Sequence, residues 1–411
     1  KTGLFFTIFL AFCFLLYPLV AAFSTYRRVS FQTPLYLFWI AVFLTVSAFY
    51  FLHSQTEKKP EQIFTVLALS AGLMLCFLAP LCTGISWDDE THYIRSVQVF
   101  SNLTQADIVM QHYAYQNPLK FSFSVDVLGE RSAYLNDLYQ NSQFAYMNAN
   151  TSIESLDVYR RMGYYLPGAV IFLGRLLRLP FVSVFLLGKT SILLCYVALV
   201  RVAIKRLKTG KMILATIALF PTGVFLASNY SCDSWITAWV MVGMSYFFAQ
   251  LQEPDQPLTV KDTIIIMGSL VLGLGPKAIY FPLFALLLLL PKSKFSSVQQ
   301  YRKYLVIVSV AAVLVLMSFV IPMLFDSVPS DTRGGSTVSG SDQIFYILSH
   351  PLTYTKVLLG FLWEYVSSFT CITDFAYLGT VSGSFSLLLL GAVVFTDKSD
   401  LDRYTSTGKV R

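Results

Sequence analysis

Long apolar runs separated by short polar loops are the main pattern of this chain. A run of roughly 20 apolar residues is the length at which an α-helix crosses the hydrocarbon core of a bilayer. The pattern therefore predicts membrane-spanning helices along most of the chain. The predicted spans lie near residues 4–23, 33–52, 63–82, 181–203, 212–228, 235–251, 262–275, 278–290, 304–325 and 381–396.

Two of these predicted spans, 262–275 and 278–290, are short and flank Gly275-Pro276-Lys277. They are either two crossings or one broken helix, which leaves the count uncertain by one or two. We predict a bundle of about 10–11 transmembrane helices. The first run, Leu4 to Phe23, is too long for the core of a signal peptide, and we interpret it as a membrane helix.

The composition supports this interpretation. Hydrophobic residues make up 55% of the 411 residues and charged residues 13%, and the mean hydropathy is +0.61. A soluble domain carries about 25% charged residues, so the predicted fold class is an all-α polytopic membrane protein. The net charge of +7 comes mainly from basic residues in short loops. There it sets membrane topology and does not indicate nucleic-acid binding.

The basic loops predict the orientation of the bundle. Cytoplasmic loops are enriched in Lys and Arg, and basic loops occur at Lys58-Lys59, 201–211 and 292–303. All three lie on one side of the membrane if the stretch 163–179 does not cross it. Pro167, inside that stretch, fits an interfacial or re-entrant helix.

The same scheme predicts the organisation of the chain. The segment 397–411 is polar and stops abruptly, so we expect the natural protein to continue. The predicted units are 1–84 (N-terminal transmembrane helices), 85–180 (a large first extracytoplasmic loop with short helices, an acidic motif and an interfacial helix), 181–325 (transmembrane core), 326–380 (a second extracytoplasmic loop that could be re-entrant) and 381–411 (the last helix and a cytoplasmic end).

An acidic motif follows directly on the third predicted span, in Trp87-Asp88-Asp89-Glu90-Thr91-His92-Tyr93-Ile94-Arg95. Ionisable groups at a membrane boundary are costly and usually mark substrate, ion or proton chemistry. The alternative is a solvated loop that ends the helix. On a helix that begins near Asp88, His92 and Arg95 follow at steps of one turn. A carboxylate beside the membrane suits a general base, because desolvation raises its pKa, and an arginine suits a phosphate.

A second group of charged residues is predicted at the same outer face. Asp233 precedes the span at 235–251, and Lys277 interrupts an apolar hairpin. Lysine is expensive there without an anionic partner, so it binds phosphate, pairs with Asp233 or snorkels to the interface. Asp233 could also cap its helix. Arg333 lies in a Gly/Ser-rich loop that is either a flexible connector or a lid over substrate.

Other kinds of site are not supported by the sequence. The six cysteines are scattered singly and form no C-x-x-C pair, so neither a zinc site nor a disulfide framework is indicated. The sequence has no P-loop and no G-x-G-x-x-G pattern, so soluble nucleotide binding is not indicated.

The acidic motif resembles the Pro-Asp-Glu-x-x-His-x-x-Arg pattern of a family of bacterial multi-span membrane proteins known as DUF2142. Trp87 and Asp89 stand where that family usually has Pro and Glu. The resemblance covers most of residues 63–395. Four later segments resemble further patterns of the family in the same order: Arg161 to Pro167 (Pro-Pro-x-Tyr-Tyr), Phe220 to Asp233 (Thr-Pro…Asn-x-Asp), Gly273 to Lys277 (Ser-Lys-Pro) and Ile347 to Pro351 (Ile-Leu-x-x-Pro).

The family in turn resembles the GT-C class of glycosyltransferases. This resemblance implies inverting transfer of a sugar from a polyprenyl-phosphate donor to a cell-surface polysaccharide, on the extracytoplasmic face of the bacterial plasma membrane. It implies that Asp88 and Asp89 are catalytic, as general base or as ligands of a divalent cation, Mg²⁺ or Mn²⁺. The other implied roles are donor-phosphate binding by His92, Arg95, Lys277 and Arg333, and acceptor or sugar binding by Glu90, Tyr93, Asp233 and Tyr165.

Two related functions are alternatives. A polymerase or ligase of lipid-linked glycans would share the topology and the donor, but such enzymes more often rely on arginines in a late external loop. A transporter or flippase of lipid-linked sugar would show internal repeats and charges at the midplane of the membrane. The sequence has no convincing repeat, and its charges gather at one predicted face.

Overall fold

The structure, a computed structural model, describes residues 2–26, 33–54, 59–82, 89–104, 107, 158–179, 181–253, 255–325, 340–368 and 389–394. The regular elements in these ranges are helices, which confirms the predicted all-α fold. The α-helices are α1 (Thr2–Tyr26), α2 (Thr33–Ser54), α3 (Pro60–Cys82), α4 (Asp89–Phe100), α5 (Tyr165–Leu176), α6 (Phe181–Arg206), α7 (Lys211–Ala218), α8 (Pro221–Ala227), α9 (Cys232–Gln252), α10 (Val260–Leu274), α11 (Phe284–Leu287), α12 (Val298–Phe325), α13 (Gly340–Ser349) and α14 (Pro351–Ser368). Met162–Tyr164, Gly275–Leu283 and Lys292–Lys294 form 3₁₀ helices, and residues 389–394 are also helical.

Five of the described helical stretches are long and apolar enough to cross a membrane. The chain is therefore a multi-pass membrane protein, as its composition predicts. The five stretches are Thr7–Tyr26, Pro60–Phe77, Ser183–Arg206, Val260–Leu287 and Val298–Ile321. The fourth of these contains the break at Lys277.

Three predicted segments differ in detail from the structure. The span predicted at 212–228 consists of the two short helices α7 and α8, because Pro221 lacks the backbone N–H that a continuous helix requires. The loop predicted at 326–380 contains the helices α13 and α14 in its described part. The span predicted at 381–396 is described only at 389–394.

The chain reverses direction at Gly275-Pro276-Lys277, so the two short apolar runs are separate arms of a hairpin. The first arm, α10, starts beside the end of α9, where Gln250 Nε2 donates to Asp262 at 2.8 Å. Its far end is Lys277, whose backbone angles are not helical (φ −140°, ψ 71°). The second arm returns to the start, because Lys294 Nζ donates to the carbonyl of Glu253 at 2.5 Å.

The bundle has two chemically different ends. At the first, which we call the basic end, Arg206 lies 3.6 Å from Glu253 and 3.7 Å from Asp262. The basic loops 201–211 and 292–303 lie there. The opposite end, which we call the motif end, carries α4, the start of α9 and the turn of the hairpin. The acidic motif and the basic loops are therefore separated along the bundle.

Helix α5 lies at the motif end and is too short to cross a membrane. Its 12 residues rise about 18 Å, against about 30 Å for the hydrocarbon core. Gly168 allows α5 to pack closely on α4, since a Cβ at that position would lie 2.5 Å from the carbonyl oxygen of Ser96. This close packing fixes α4, the helix of the acidic motif, against the bundle.

Candidate functional site

Helix α4 begins at Asp89, one residue after the predicted start. Tyr93 and Val97 are buried against the bundle, whereas Arg95 is exposed and His92 is partly exposed. The helix therefore has a packing face and a second face that carries the imidazole and the guanidinium. Asp88, Arg333 and the side chains of Asp89 and Glu90 lie outside the described part of the structure, so their roles stay predictions.

The packing face of α4 is held by a buried ion pair. Arg175 of α5 donates to both carboxylate oxygens of Asp107, at 2.7 and 2.6 Å. The Tyr93 hydroxyl donates to the same carboxylate at 2.7 Å, and the backbone N–H and hydroxyl of Thr104 complete its hydrogen bonds at 2.6 and 2.8 Å. A buried charge is stable only when it is paired in this way.

The sugar-binding prediction for Tyr93 is corrected by this arrangement. Its side chain is fully buried, and its ring packs against Phe181, Phe185 and Tyr230 with centroids 5.1–6.1 Å away. No face of the ring is open to a sugar. Burial raises the pKa of Tyr93 well above its usual value, and Asp107 raises it further, so the hydroxyl remains a donor within the fold.

The second face of α4 meets Tyr164, which the sequence did not single out. His92 Nδ1 lies 2.7 Å from the Tyr164 hydroxyl, and Arg95 donates to that hydroxyl at 3.5 Å. The rings of His92 and Tyr164 are stacked, with centroids 5.7 Å apart. Burial raises the pKa of Tyr164 far above its usual value, although Arg95 opposes the shift. Tyr164 is therefore a neutral phenol that orients both side chains.

Asp233 and Lys277 form an ion pair at the same end, with Lys277 Nζ 2.6 Å from Asp233 Oδ1. Both side chains are partly exposed, 43% for Lys277 and 33% for Asp233, so the pair remains open to a ligand. The N-cap of α9 is Ser231, whose hydroxyl accepts from the backbone N–H of Asp233 at 3.1 Å. The capping role considered for Asp233 is thus filled by Ser231. Asp233 instead places its charge in the first turn, where the helix dipole favours an anion.

Cys232 joins the two groups into one cluster. Its thiol lies within electrostatic range of the Tyr164 hydroxyl and of the charges on Arg95, Asp233 and Lys277. Gly163 makes this junction close, since a Cβ there would lie 3.0 Å from Cys232 Cβ. We call these residues the motif-end cluster: His92, Arg95, Tyr164, Cys232, Asp233 and Lys277.

The motif-end cluster suits an anionic ligand. Arg95 and Lys277 are cationic and Asp233 is anionic, so the described side chains carry one net positive charge with His92 neutral. A planar guanidinium and an ammonium bind phosphate oxygens through charge-assisted hydrogen bonds. The cluster also contains residues from four of the five sequence segments that resemble patterns of the family, namely Arg95, Tyr164, Asp233 and Lys277.

Two further residues complete the description of the site. Tyr165, the neighbour of Tyr164, places its ring edge-on to Phe100 at 5.9 Å, and its predicted role in sugar binding stays a prediction. Lys189 of α6 is fully buried, with its ammonium 5.6 Å from the centre of the Phe185 ring. Because a charged lysine is energetically costly inside an apolar span, the sequence alone could have indicated Lys189 as a residue of interest.

The divalent cation implied by the resemblance would be held by Asp88 and Asp89. Within the described ranges no group of three or more His, Cys, Asp or Glu side chains could hold a metal ion. The two aspartates predicted to bind one are not among the side chains described, so the Mg²⁺ or Mn²⁺ site stays a prediction.

The fold and the cluster define the chain as a polytopic all-α membrane protein with an ionisable site at one end of its bundle. A family model described as predicted membrane protein (DUF2142) matches residues 82–396. This match covers more than half of the chain, which therefore belongs to the DUF2142 family and confirms the resemblance seen in the sequence. Neither the comparison with curated proteins nor that with solved structures finds a match.

Proposed function

We propose that this protein is a membrane glycosyltransferase of the GT-C type. It transfers a sugar from a polyprenyl-phosphate donor to a cell-surface polysaccharide. The observation that supports the proposal is the motif-end cluster, in which His92 and Arg95 meet at Tyr164 and Lys277 lies beside Cys232 at the end of an apolar bundle. A lipid phosphate needs this combination of cationic side chains and adjoining membrane.

The basic loops support an extracytoplasmic site. They lie at the opposite end of the bundle from the cluster, and basic loops favour the cytoplasmic side. The cluster then faces the outer surface, where polyprenyl-linked sugars and surface polysaccharides meet.

In the proposed reaction an acceptor hydroxyl attacks the anomeric carbon of the donor sugar. The new glycosidic C–O bond forms as the bond from that carbon to the phosphate oxygen breaks, and the electron pair leaves with the polyprenyl phosphate. Asp88 or Asp89 takes the acceptor proton. His92, Arg95 and Lys277 stabilise the charge that grows on the leaving phosphate. A single displacement inverts the anomeric centre.

A divalent cation held by Asp88 and Asp89 would supply further stabilisation of the leaving phosphate. The positive charges of Arg95 and Lys277 would perform the same electrostatic task without a metal ion. Chelation therefore distinguishes an enzyme that requires the cation from one that relies on its own side chains.

The test is transfer from a panel of undecaprenyl-phosphate sugars to isolated cell-wall polysaccharide. Purified wild type is compared with Asp88→Asn and Asp89→Asn, each with and without chelator. Asp255→Asn, an exposed aspartate at the basic end, is the matched control. We expect transfer by wild type and the control, and a fall of at least about 100-fold in one motif variant, the scale of a lost general base.

Two other results would direct the assignment elsewhere. If the wild type binds the donor lipid but consumes none of it, the proposal is wrong and transport of lipid-linked sugar becomes the better function. The broken hairpin at Lys277 would fit that function, since interrupted helices carry the binding sites of many transporters. Repeated addition of sugars to one lipid-linked chain would instead indicate the polymerase alternative.

A further inference from the structure

Residues 158–164 form a short segment between helix α4 and the turn of the hairpin, and we call them the bridging segment. At its end the Tyr164 hydroxyl accepts a hydrogen bond from Arg95 of α4. At its start the Tyr159 side chain contacts α10, just before the turn that carries Lys277. The bridging segment therefore links the two cations of the motif-end cluster.

The turn leaves one backbone carbonyl of α10 without its usual donor. Pro276 has no N–H, so the carbonyl of Leu272, four residues earlier, cannot be bonded as in a continuous helix. Trp235 of α9 supplies the missing donor, with its Nε1 2.9 Å from the Leu272 oxygen. The end of α10 is thereby tied to the first turn of α9, which also carries Asp233, the partner of Lys277.

Tyr159 makes the corresponding contact from the bridging segment. Its hydroxyl donates to the carbonyl of Val271 at 2.6 Å, one residue before the carbonyl that Trp235 binds. Burial raises the pKa of Tyr159 to about 12, so the hydroxyl keeps its proton and remains a donor. The last turn of α10 is therefore held from two sides, by α9 and by the bridging segment.

The backbone of the turn also packs directly on Tyr159. A Cβ added at Gly275 would lie 2.5 Å from the Tyr159 carbonyl oxygen and 3.3 Å from Cε2 of its ring, so this close approach requires a glycine. Gly163, farther along the bridging segment, packs on the next residue of the turn, because a Cβ there would lie 3.4 Å from Pro276 Cγ. Tyr159 thus contacts both the last turn of α10 and the residue two positions before Lys277.

The position of Lys277 depends on these contacts because helical geometry ends at this residue. Its backbone angles are not helical (φ −140°, ψ 71°), so the direction of its side chain is set by where the turn is held. Backbone hydrogen bonds of 3.3 and 2.8 Å within the bridging segment keep Tyr159 and Tyr164 at a fixed separation. A shift of Tyr159 would therefore change the spacing between Lys277 and Arg95.

We propose that Tyr159 is a positioning residue that holds Lys277 at the spacing from Arg95 at which both side chains bind one phosphate. The inference rests on the proposed function, which places a lipid phosphate at these two cations. Charge-assisted hydrogen bonds form at donor–acceptor distances of about 2.7–2.9 Å, so both cations bind the same phosphate only if their separation is fixed. Tyr159 does not itself bind the phosphate and acts through the turn of the hairpin.

The test compares two Tyr→Phe substitutions, each of which removes a hydrogen bond to one arm of the hairpin. The probe is farnesyl phosphate, which carries a phosphate on a short prenyl chain. Tyr159→Phe should weaken its binding roughly three- to tenfold, as expected for one lost hydrogen bond. Tyr304→Phe is the matched control, because the Tyr304 hydroxyl donates to the Leu287 carbonyl of the second arm at 3.0 Å, ten positions beyond Lys277. Its affinity should equal that of wild type.

A double variant shows whether Tyr159 acts through Lys277. If it does, Tyr159→Phe combined with Lys277→Met should bind farnesyl phosphate no more weakly than Lys277→Met alone. The two single Tyr→Phe variants should lower the midpoint of SDS unfolding by similar amounts, so a loss of stability does not explain their different affinities. Additive losses of affinity in the double variant would overturn the inference, and so would equal losses in Tyr159→Phe and Tyr304→Phe.

The results also separate this inference from the proposed function. A wild type that binds farnesyl phosphate and shows the expected coupling, but transfers no sugar from a polyprenyl-phosphate donor, would overturn the transferase proposal and leave the role of Tyr159 standing. Sugar transfer by wild type, with unchanged farnesyl phosphate affinity in Tyr159→Phe, would do the reverse. If the wild type binds no farnesyl phosphate at all, both proposals fall.

Discussion

Arg175 and Asp107 form a fully buried ion pair, with two N–H···O contacts of 2.6 and 2.7 Å and side-chain exposures of 2% and 0%. The two residues lie 68 positions apart in the chain, and the pair joins the segment that follows α4 to the end of α5. Because Tyr93 of α4 donates to the same carboxylate, the pair fixes the helix that carries His92 and Arg95.

Arg175→Met should destabilise the protein by about 3–5 kcal/mol, because it leaves the Asp107 carboxylate buried without its countercharge. The free energy of unfolding can be measured by SDS titration in mixed micelles. Arg178→Met is the matched control, since Arg178 is exposed two residues beyond α5, and it should change the value by less than about 0.5 kcal/mol. Equal stability of the two variants would show that the buried pair does not hold α4 in place.

Tyr164→Phe should weaken binding of farnesyl phosphate, a short analogue of the polyprenyl-phosphate donor, by up to about tenfold. Such a loss corresponds to one hydrogen bond of about 0.5–1.5 kcal/mol. The phenol orients His92 and Arg95 without itself carrying charge, so the phenyl ring keeps the packing and loses the orientation. Tyr165→Phe is the comparison, because sequence reasoning assigned a role to Tyr165 and none to Tyr164. A larger loss of phosphate binding in Tyr165→Phe would contradict the assignment of Tyr164 as the residue that orients His92 and Arg95.

The general architecture follows from the sequence because it depends on local properties. Apolar runs of membrane length predict α1, α2, α3, α6 and α12, since a lipid environment leaves a single chain segment little choice other than a helix. The break at Gly275-Pro276-Lys277 is also local: Pro276 has no backbone N–H to donate. What the break does, a reversal and not a kink, depends on packing against α9 and α12.

The sequence predicted a contact within the site only for Lys277 and Asp233, because an unpaired charge in an apolar segment is energetically costly. Lys277 in an apolar hairpin requires an anion unless it snorkels to the interface, and pairing with Asp233 was one of the three alternatives for it. The sequence did not show which of the neighbours Tyr164 and Tyr165 contacts His92 and Arg95. That depends on how the 3₁₀ turn Met162–Tyr164 continues into α5. The Arg175–Asp107 pair depends on a tertiary contact across a long insertion, which no local pattern indicates.

Lys277→Met should weaken farnesyl phosphate binding by about 10–100-fold, the range for losing a charge-assisted hydrogen bond of about 1.5–3 kcal/mol. Asp233→Asn should act in the opposite direction, because it frees the ammonium from its carboxylate partner. Lys261→Met, an exposed lysine at the basic end of the same helix arm, should bind like wild type. The affinities can be measured by equilibrium binding in detergent.

The two substitutions at this pair also separate binding from structure. A purely structural ion pair would make Lys277→Met and Asp233→Asn equally destabilising and equally poor in phosphate binding. Opposite changes in affinity, at similar free energies of unfolding, are the result that supports an anion site at Lys277.

Gly168→Ala should lower both stability and farnesyl phosphate binding, because the added Cβ would lie 2.5 Å from the Ser96 carbonyl oxygen and must push α4 away from α5. The matched control is Gly268→Ala in α10, where an added Cβ has nothing within 4 Å. In that open helical position alanine should stabilise the protein by about 0.5–1 kcal/mol. Unfolding titrations and farnesyl phosphate binding on both variants check the prediction. If Gly168→Ala lowers stability yet binds farnesyl phosphate like wild type, close packing of α4 on α5 supports the fold alone and does not position His92 and Arg95.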